Sequence, residues 1–356
     1  MRIGILASET SWYYRDLERA ALCRGDVCER LDFARFVAKN RSALGHDLFD
    51  GEVPDHPNGP SDELGRKHEF VRNGFDPPEK HGEVITGMSS PSPVPSHDPT
   101  QRASDSSGEL NSGDQRPLSS RFDVILVRTM PPGSLEQVVY RMDLLGRLES
   151  AGVRVINSPR SLECAVDKYL TTAKLQSAGL PVPRTIVCEH EDDALAAFEE
   201  LGRDVVVKPL FGSEGRGIVR VSDPDLAHRT FRTLMRLGCV LYLQRFIDHG
   251  GFDVRILVLD QQVIGGMRRR SPHDFRTNVA RDAIAEPHTP TSQEIELALR
   301  ATVTTGAFIA GVDLLYDRSG HCYVIEVNAV PGWQAFGRVT KIDVATRLLE
   351  QISHGS

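Results

Sequence analysis

Two polar side chains, Glu326 and Asn328, interrupt the apolar stretch CYVIEVNAVPG near the C-terminus. Side chains two residues apart project from the same face of a strand, and a buried carboxylate needs a compensating partner. Asp313 lies in the preceding apolar stretch, AGVDLLY, and a hairpin with a four-residue loop would place it opposite Val324, on that same face. Three oxygen ligands without Cys or His suit Mg²⁺ or Mn²⁺ bound together with substrate phosphates. The alternative is that these carboxylates pair with arginines in a core.

A lysine and a glycine-rich segment form a second candidate site. Lys208 follows the apolar run VVV and precedes FGSEGRG at 211–217. Glycines allow the backbone to approach phosphates closely and to offer them N–H donors. The segment is neither a P-loop nor a dinucleotide-binding fingerprint, because no G-K-[ST] follows and no helix opens there. A plain flexible hairpin would look the same, but the carboxylates downstream favour a phosphate site.

A series of motifs from Val153 to the C-terminus resembles the ATP-grasp ligases, closest to the RimK-like α-L-glutamate ligases. The motifs are VDKYLTTAKLQSAGLPVP, VVVKPLFGSEGRGI, LYLQRFI, FDVRILVL, MRRRSPHDFRTN, AGVDLLY and VIEVNAVPG. The resemblance implies an α/β (α+β) fold, in which an ATP-grasp domain at 156–356 follows a small parallel α/β domain at 1–155. It also implies a Gly-rich hairpin subdomain at about 184–245 and a metal-binding subdomain at about 246–354.

The resemblance assigns roles only to residues that match its motifs. The expected contacts to ATP phosphates are Lys168, Lys208, Arg276 and Asn278, with a loop closing over them at Gly212, Ser213, Gly215 and Gly217. The expected strand against adenine is Gln244, Arg245, Phe246 and Ile247, with Asp253 near the nucleotide. The metal ligands, for two Mg²⁺ or Mn²⁺ ions, are Asp313, Glu326 and Asn328, and the catalytic cations are Arg255 and Arg269.

The second position of the adenine strand departs from the family pattern. The RimK-like pattern has Gln-Glu-Tyr-Ile where this chain has Gln244-Arg245-Phe246-Ile247. A glutamate that would read adenine is therefore replaced by a residue that can only donate hydrogen bonds. Backbone groups of the strand are the alternative means of recognition.

The activity implied by the resemblance is ATP-dependent carboxylate–amine ligation through an acyl phosphate. Its expected substrates are small molecules, L-glutamate as the amine and an acceptor carboxylate. Similarity in SWYYRDLERAA, VRTMPPGSLEQVVYRMD and VNAVPGW favours a tetrahydromethanopterin-type pterin as acceptor, with a protein tail as second choice. A nucleotide-binding regulatory protein without ligase activity is the alternative from another class.

The hydrophobic pattern of the sequence predicts the strands and helices that position these residues. RIGILA, FDVILVR and VRVINS are predicted strands, and helical patterns such as SLEQVVYRMDLLGRLESAG lie between them. This alternation is typical of a mostly parallel sheet. RTMPPGS at 128–134 follows a strand and is a candidate substrate loop, although an ordinary turn fits equally well. SWYYRD at 11–16 is predicted to start a helix in the core, with acceptor binding as the alternative.

Composition limits the remaining possibilities. The chain has 356 residues and a net charge of −7, and 14 acidic against 6 basic residues within 46–120 account for that excess. This acidic, Pro- and Ser-rich segment is predicted to be a disordered insertion. The remainder has no strongly basic face, so nucleic acid is not an expected partner. No apolar run reaches the roughly 18 residues of a membrane span. The six scattered cysteines indicate a reduced, cytoplasmic chain, and a homo-oligomer is compatible with the sequence.

Overall fold

The computed structural model describes residues 1–40, 46–50, 116–212, 216–271, 274–277 and 283–354. Elements are numbered in chain order, and the described residues form three sheets of four or more strands and a two-stranded hairpin. No described helix is long and apolar enough to cross a membrane. The cytoplasmic location and the oligomeric state stay predictions.

The N-terminal sheet is parallel, as the sequence predicts. Its order is β2-β1-β5-β6, and its strands are β1 (Arg2–Leu6), β2 (Val27–Leu31), β5 (Val124–Val127) and β6 (Arg154–Ile156). Helix α1 (Trp12–Arg24) leads from β1 to β2, and α3 (Leu135–Ser150) leads from β5 to β6. Because β2 lies on one side of β1 and β5 on the other, the carboxyl ends of β1 and β5 border a topological switch point.

The range 46–120, predicted as a disordered insertion, begins and ends in secondary structure. Strand β3 (Phe36–Asn40) pairs with β4 (His46–Asp50), and a short helix α2 (Leu118–Arg121) precedes β5. Leu48 and Leu118 are buried in the core of this part of the chain. The composition did not predict these two ordered ends. The interior of the range, 51–115, lies outside the described residues.

The second sheet is antiparallel and carries the lysine strand. Its order is β7-β10-β8-β9, with β7 (Thr185–Cys188), β8 (Val205–Lys208), β9 (Val219–Val221) and β10 (Leu241–Arg245). Helices α4 (Pro159–Val166) and α5 (Lys168–Ser177) precede this sheet. Helices α6 (Glu191–Glu200) and α7 (Pro224–Arg236) cover one face, where Val205, Val207 and Leu243 are buried. The alternate residues Val206 and Lys208 therefore face the other way.

The third sheet is five-stranded, in the order β13-β12-β11-β14-β15. Its strands are β11 (Phe252–Leu259), β12 (Gln262–Arg270), β13 (Ile284–His288), β14 (Ile309–Tyr316) and β15 (Cys322–Asn328). Helix α8 (Ser292–Thr305) packs on one face, and a capping box of Thr291 and Glu294 begins it. Helices α9 (Gln334–Thr340) and α10 (Val344–His354) cover the apolar part of the other face.

The register of the C-terminal hairpin differs from the predicted one. Tyr316 pairs with Cys322, so the loop has one residue more than predicted, and Leu314 lies opposite Val324. A β-bulge at the next step pairs Asp313 with Glu326. The prediction that Asp313 lies opposite Val324 was therefore wrong. The longer loop shifts the register by one residue and the bulge by another, and neither is visible in the alternation.

Asn157, which directly follows β6, connects the N-terminal sheet to the third sheet. It is buried, and its side-chain amide donates to the carbonyl oxygens of Ile309 and Ala329. Its carbonyl Oδ1 accepts from the N–H groups of Phe308 and Ile309, at 2.6 and 3.0 Å. One side chain thus satisfies backbone groups where β14 begins and where β15 has just ended.

Candidate functional site

A row of charged side chains crosses one face of the third sheet. Arg269 lies opposite Asp253, Arg255 lies opposite Asp313, and Asp313 lies opposite Glu326. Cross-strand partners share a face, as do Asp253 and Arg255 two residues apart. The opposite face is apolar and packs against α8. Helices α9 and α10 cover the apolar part of the face that carries the row, so the row occupies the uncovered end of that face.

Two arginines hold the buried aspartates of this row. Arg255 donates through Nε and Nη2 to the two carboxylate oxygens of Asp313, both at 2.7 Å, and Arg269 Nη2 lies 2.9 Å from Asp313 Oδ2. Arg269 also makes a two-point contact with Asp253, which accepts from Thr277 as well. Burial alone would raise the pKa of Asp313, but the charges of Arg255 and Arg269 lower it below its ordinary value. The predicted alternative of carboxylate–arginine pairing is therefore present at Asp313.

Lys208 enters the same cavity from the second sheet. Its Nζ donates to Gln244 Oε1 at 2.7 Å, and Gln244 Nε2 donates to Thr185 Oγ1 at 3.0 Å. Burial lowers the pKa of Lys208 to about 8, Glu326 acts to raise it, and Lys168 lowers it further. A buried ammonium that has no carboxylate within hydrogen-bonding distance among the described residues is suited to an anionic ligand.

The second lysine, Lys168, holds the glycine-rich segment. It begins α5, and its Nζ donates to the carbonyl oxygen of Gly212 at 2.7 Å. Gly212 and Gly217 have φ values of 151° and 71°, which L-residues rarely adopt. Burial lowers the pKa of Lys168, and the charge of Glu326 counteracts this. Ser213 and Gly215 lie outside the described residues.

The strand predicted to contact adenine forms one wall of the cavity. Phe246 packs edge-on against Phe275 with ring centroids 6.1 Å apart, and the Arg220 guanidinium lies 3.5 Å from the Phe246 ring centroid. Ile247 is buried and lines the cavity with Phe246, whereas Arg245 lines it from an exposed position. The wall is therefore apolar and aromatic, with a cation at its edge.

The structure brings most, but not all, of the predicted residues into one cavity. The lining includes Lys168, Lys208, Gly212, Gln244, Asp253, Arg269, Arg276, Asp313 and Glu326. Arg255 and Asn328 are not in that lining, and they lie behind it on the same sheet face. Gly217 is also absent from the lining, although its neighbours Arg216 and Ile218 belong to it. Arg276 pairs with Asp274 and donates to the carbonyl oxygen of Ile218, and Asn278 lies outside the described residues.

The donor set fits a divalent cation held together with phosphates. Glu326 is half-buried and makes no hydrogen bond or ion pair within the described ranges, and the buried Nδ2 of Asn328 also has no partner there. A 180° rotation of that amide would place Oδ1 at the unpaired position. Asp313 accepts three hydrogen bonds, which leaves one of its four lone-pair sites for a metal. No group of three His, Cys, Asp or Glu forms a metal cluster among the described residues, so phosphate oxygens would complete the shell.

Sequence reasoning missed the polar chain that orients Lys208. Tyr242 is buried, and its hydroxyl lies 2.8 Å from Thr172 Oγ1 and 3.3 Å from Gln244 Nε2. These residues therefore support the lysine through Gln244. The signal in the sequence was the alternation in LYLQR, where Tyr242 and Gln244 share the face opposite the apolar positions.

Comparisons with known proteins show which family the chain resembles. A family model described as "RimK-like ATP-grasp domain" matches residues 165–352, and one described as "Prokaryotic glutathione synthetase, N-terminal domain" matches residues 84–163. The chain is similar to the tetrahydromethanopterin:alpha-L-glutamate ligase of Methanosarcina acetivorans, with 33% identity over 67% of this chain and 82% of the relative. It is also similar to the glutamate--LysW ligase ArgX of Sulfolobus acidocaldarius, with 30% identity over 66% of this chain and 83% of the relative.

The fold is shared with a solved structure of an ATP-grasp ligase, PsnB, in complex with a minimal precursor, Mg and ADP. The TM-score is 0.63 at 18% identity, over 99% of this chain and 96% of that one. The family model spans more than half of the chain, and the relatives are named ligases. The chain therefore belongs to the RimK-like ATP-grasp family, and it is an enzyme of the ligase class.

Proposed function

We propose that the protein joins L-glutamate to an acceptor carboxylate in an ATP-dependent reaction that passes through an acyl phosphate. The observation that carries this proposal is the cavity in which Lys168 and Lys208 face Glu326 and Asp313. Cations on one wall suit phosphates, and oxygen ligands on the other suit the metal that accompanies them. The names of the relatives support glutamate as the amine.

ATP binding is assigned to the second sheet and the glycine-rich segment. Lys208 and Lys168 bind phosphate oxygens, and Gln244 holds Lys208 in the required orientation. Gly212 and Gly217, whose backbone is in conformations that favour glycine, let the segment approach those phosphates closely. The base lies against Phe246 and Ile247, and backbone groups of that strand read it because Arg245 offers no acceptor.

Asp313, Glu326 and Asn328 would hold Mg²⁺ or Mn²⁺, as two ions by family resemblance. When bound, the metal neutralises phosphate charge and aligns the reacting groups. The chain itself contributes the orientation of these ligands. Arg255 fixes the Asp313 carboxylate by a two-point contact, and Arg269 ties Asp313 to Asp253 across three strands.

The chemistry proceeds in two displacements. An oxygen of the acceptor carboxylate attacks the γ-phosphorus, and ADP leaves. The amine nitrogen then attacks the acyl carbon, the bond to the phosphate oxygen breaks, and the amine loses a proton. Arg269, which lines the cavity, neutralises charge on the acyl phosphate, and Arg255 acts mainly by positioning Asp313. Positioning and charge neutralisation supply most of the rate enhancement in phosphoryl transfer.

A tetrahydromethanopterin-type pterin is the proposed acceptor. The name of the Methanosarcina acetivorans relative supports this choice, together with the sequence similarity in 11–21, 127–143 and 327–333. A protein tail is the second choice, supported by the LysW ligase among the relatives. Both acceptors present a carboxylate, so the same displacement chemistry applies to each.

Release of ADP tests the proposal. The protein is mixed with ATP, Mg²⁺, L-glutamate and either a pterin carboxylate or a synthetic acidic peptide, and products are identified by mass. ADP that depends on both substrates, with a product heavier by one glutamyl residue, is the expected result. Lys208→Ala should lack this activity, whereas Lys174→Ala, an exposed lysine on α5, should retain it. ATP binding without ADP release for any acceptor would favour a regulatory protein.

A further inference from the structure

A buried arginine, Arg128, stands at the carboxyl end of β5. Only 8% of its surface is exposed, and its backbone N–H donates to the carbonyl oxygen of Leu6 at the end of β1. It therefore lies at the switch point of the N-terminal sheet, between the ends of β1 and β5. Ligands of open α/β sheets bind in the crevice at such a point. Residues 8–10 and 132–133, in the loops that border it, are exposed.

Within the described ranges, the guanidinium of Arg128 has aromatic and backbone partners but no counter-charge. It lies 4.1 Å from the ring centroid of Trp333 and 5.0 Å from that of Tyr13, and its Nη2 donates to the carbonyl oxygen of Pro331 at 2.7 Å. Its Nε is buried without a hydrogen-bond partner, and none of the described Asp or Glu residues pairs with it. Burial lowers the pKa of Arg128 to about 10. An uncompensated buried cation is costly, which suggests that a bound anion completes the site.

Arg121, at the other end of the same strand segment, provides a matched comparison. It is equally buried, at 7% exposure, and its guanidinium also lies near an aromatic ring, 5.2 Å from the Phe122 centroid. Arg121 nevertheless pairs with the carboxylate of Glu29. Two buried arginines thus flank β5, and the one at the carboxyl end of the strand has no carboxylate partner in the part of the chain that the structure describes.

The position of Arg128 relates it to the proposed reaction centre through Pro331. The Pro331 carbonyl accepts from Arg128, and a Cβ built on Gly311 would lie 3.2 Å from Pro331 and 3.5 Å from Arg255 Cδ. Pro331 thus contacts Arg128 and also lies close to Gly311. Gly311 in turn lies close to Arg255. The acceptor carboxylate must reach the phosphates in the ATP cavity, and Arg128 does not line that cavity. A group bound at Arg128 is therefore one that is not phosphorylated.

We propose that Arg128 binds a non-reacting carboxylate of the amine substrate, at the crevice between the carboxyl ends of β1 and β5. This inference rests on the proposed ligase function and adds the residue that selects an amino acid as the amine. An arginine fork suits a carboxylate because two parallel N–H···O contacts fix its orientation. The Tyr13 hydroxyl and Gly332 border the same place, since a Cβ on Gly332 would lie 2.6 Å from that hydroxyl.

The test is equilibrium binding of L-glutamate, measured by calorimetry on the full chain with Mg²⁺ and a non-hydrolysable ATP analogue. Wild type is compared with Arg128→Met, with Arg128→Lys, and with Arg121→Met as the matched buried-arginine control. Arg128→Met should bind glutamate about tenfold more weakly or worse, the scale of a charge-assisted hydrogen bond. Arg128→Lys keeps the charge but loses the fork, so its loss should be intermediate. Arg121→Met should bind as wild type does.

Two amide analogues identify the carboxylate that Arg128 binds. L-Glutamine lacks the side-chain carboxylate, and the α-amide of glutamate lacks the main-chain one. Wild type should discriminate strongly against one of them, and Arg128→Met should lose that discrimination. Thermal unfolding of the apoproteins accompanies the titrations, and Arg128→Met should be no less stable than Arg121→Met.

Three results would overturn the inference. Glutamate binding by Arg128→Met that equals wild type shows that the site lies elsewhere. An Arg128→Met apoprotein that does not fold shows that the ring contacts of Arg128 serve the fold. Absence of glutamate binding to wild type also excludes the site. ADP release remains an independent measure of ligase function, so failure of this inference is distinguishable from failure of the proposed activity.

Discussion

Protonation of Lys208 should accompany ATP binding. Burial lowers the pKa of Lys208 from 10.5 to about 8 in the ligand-free protein. Phosphates next to Nζ favour the charged ammonium, so the pKa in the complex returns toward its ordinary value. Binding above pH 8 therefore requires uptake of a proton, whereas binding at pH 7 finds Lys208 already protonated.

The expected proton uptake and the pH dependence of binding follow from the lowered pKa of Lys208. At pH 9, one unit above the pKa of free Lys208, about nine-tenths of the lysine is neutral, so about 0.9 proton is taken up per nucleotide bound. The association constant should fall by about tenfold per pH unit from 8 toward 10, which corresponds to about 1.4 kcal/mol per unit. Below pH 7.5 this lysine should contribute little pH dependence.

Calorimetry in two buffers of different ionisation enthalpy measures the proton uptake, with Mg²⁺ and a non-hydrolysable ATP analogue as ligand. Lys208→Arg should remove the pH dependence because guanidinium stays charged throughout, and Lys174→Ala should behave as wild type. In the ligand-free protein the pKa of Lys208 is lower in the folded state than in the unfolded state, so the buried charge lowers the free energy of unfolding at neutral pH. This destabilisation decreases as the pH rises from about 8 to 10.5, because the lysine then loses its charge in both states. Wild-type affinity that is constant from pH 7 to 9.5 without proton uptake would refute the assignment of Lys208 to the phosphates.

Four further predictions test the site and the fold. Glu326→Gln should lower turnover about a hundredfold or more, by steady-state kinetics, while thermal unfolding finds the apoprotein at least as stable as wild type; an unfolded apoprotein would make Glu326 a core residue. In ATP titrations, Lys208→Ala should weaken binding more than Arg245→Ala, and equal effects would assign an essential contact to Arg245. Asn157→Ala should lower the free energy of unfolding by about 3 kcal/mol or more, by denaturant unfolding, since it leaves buried backbone groups unpaired; a loss below 1 kcal/mol would contradict this. Replacing 52–115 with a short Gly/Ser linker should leave melting temperature and turnover nearly unchanged, and loss of folding would show that the segment is structural.

The elements of the fold were largely predictable because their signals are local. The capping box of Thr291 and Glu294, the alternation of strands and helices in the N-terminal sheet, and the turn between β11 and β12 each depend on neighbouring residues. Asn157 was not predictable in the same way. Its partners at Phe308, Ile309 and Ala329 are more than 150 residues away, and nothing in VRVINS distinguishes a side chain that bridges two sheets from one that ends a strand.

The candidate site was predictable in its residue types but not in its pairings. Oxygen ligands, lysines and glycines indicated phosphate and metal, and the structure places Lys208, Asp313 and Glu326 in one cavity. Arg255 and Arg269 were expected to face the substrates. Whether an arginine pairs with a carboxylate or points into the cavity depends on cross-strand register, and register depends on long-range pairing. Their contacts with Asp313 could therefore not be read from the motif itself.

The bulge in β15 shows how side chains can be placed on the correct face of a sheet from an incorrect register. Val324 is buried against α8, and in a regular strand Glu326, two residues on, would project into that same apolar core. The extra residue, Ile325, reverses the alternation, so Val327 returns to the core while Glu326 lies opposite Asp313. A carboxylate in an apolar strand is therefore tolerated because the bulge turns it out of the core. A regular strand that kept Ile325 would bury an unpaired charge at Glu326, so this irregularity is a requirement of the site.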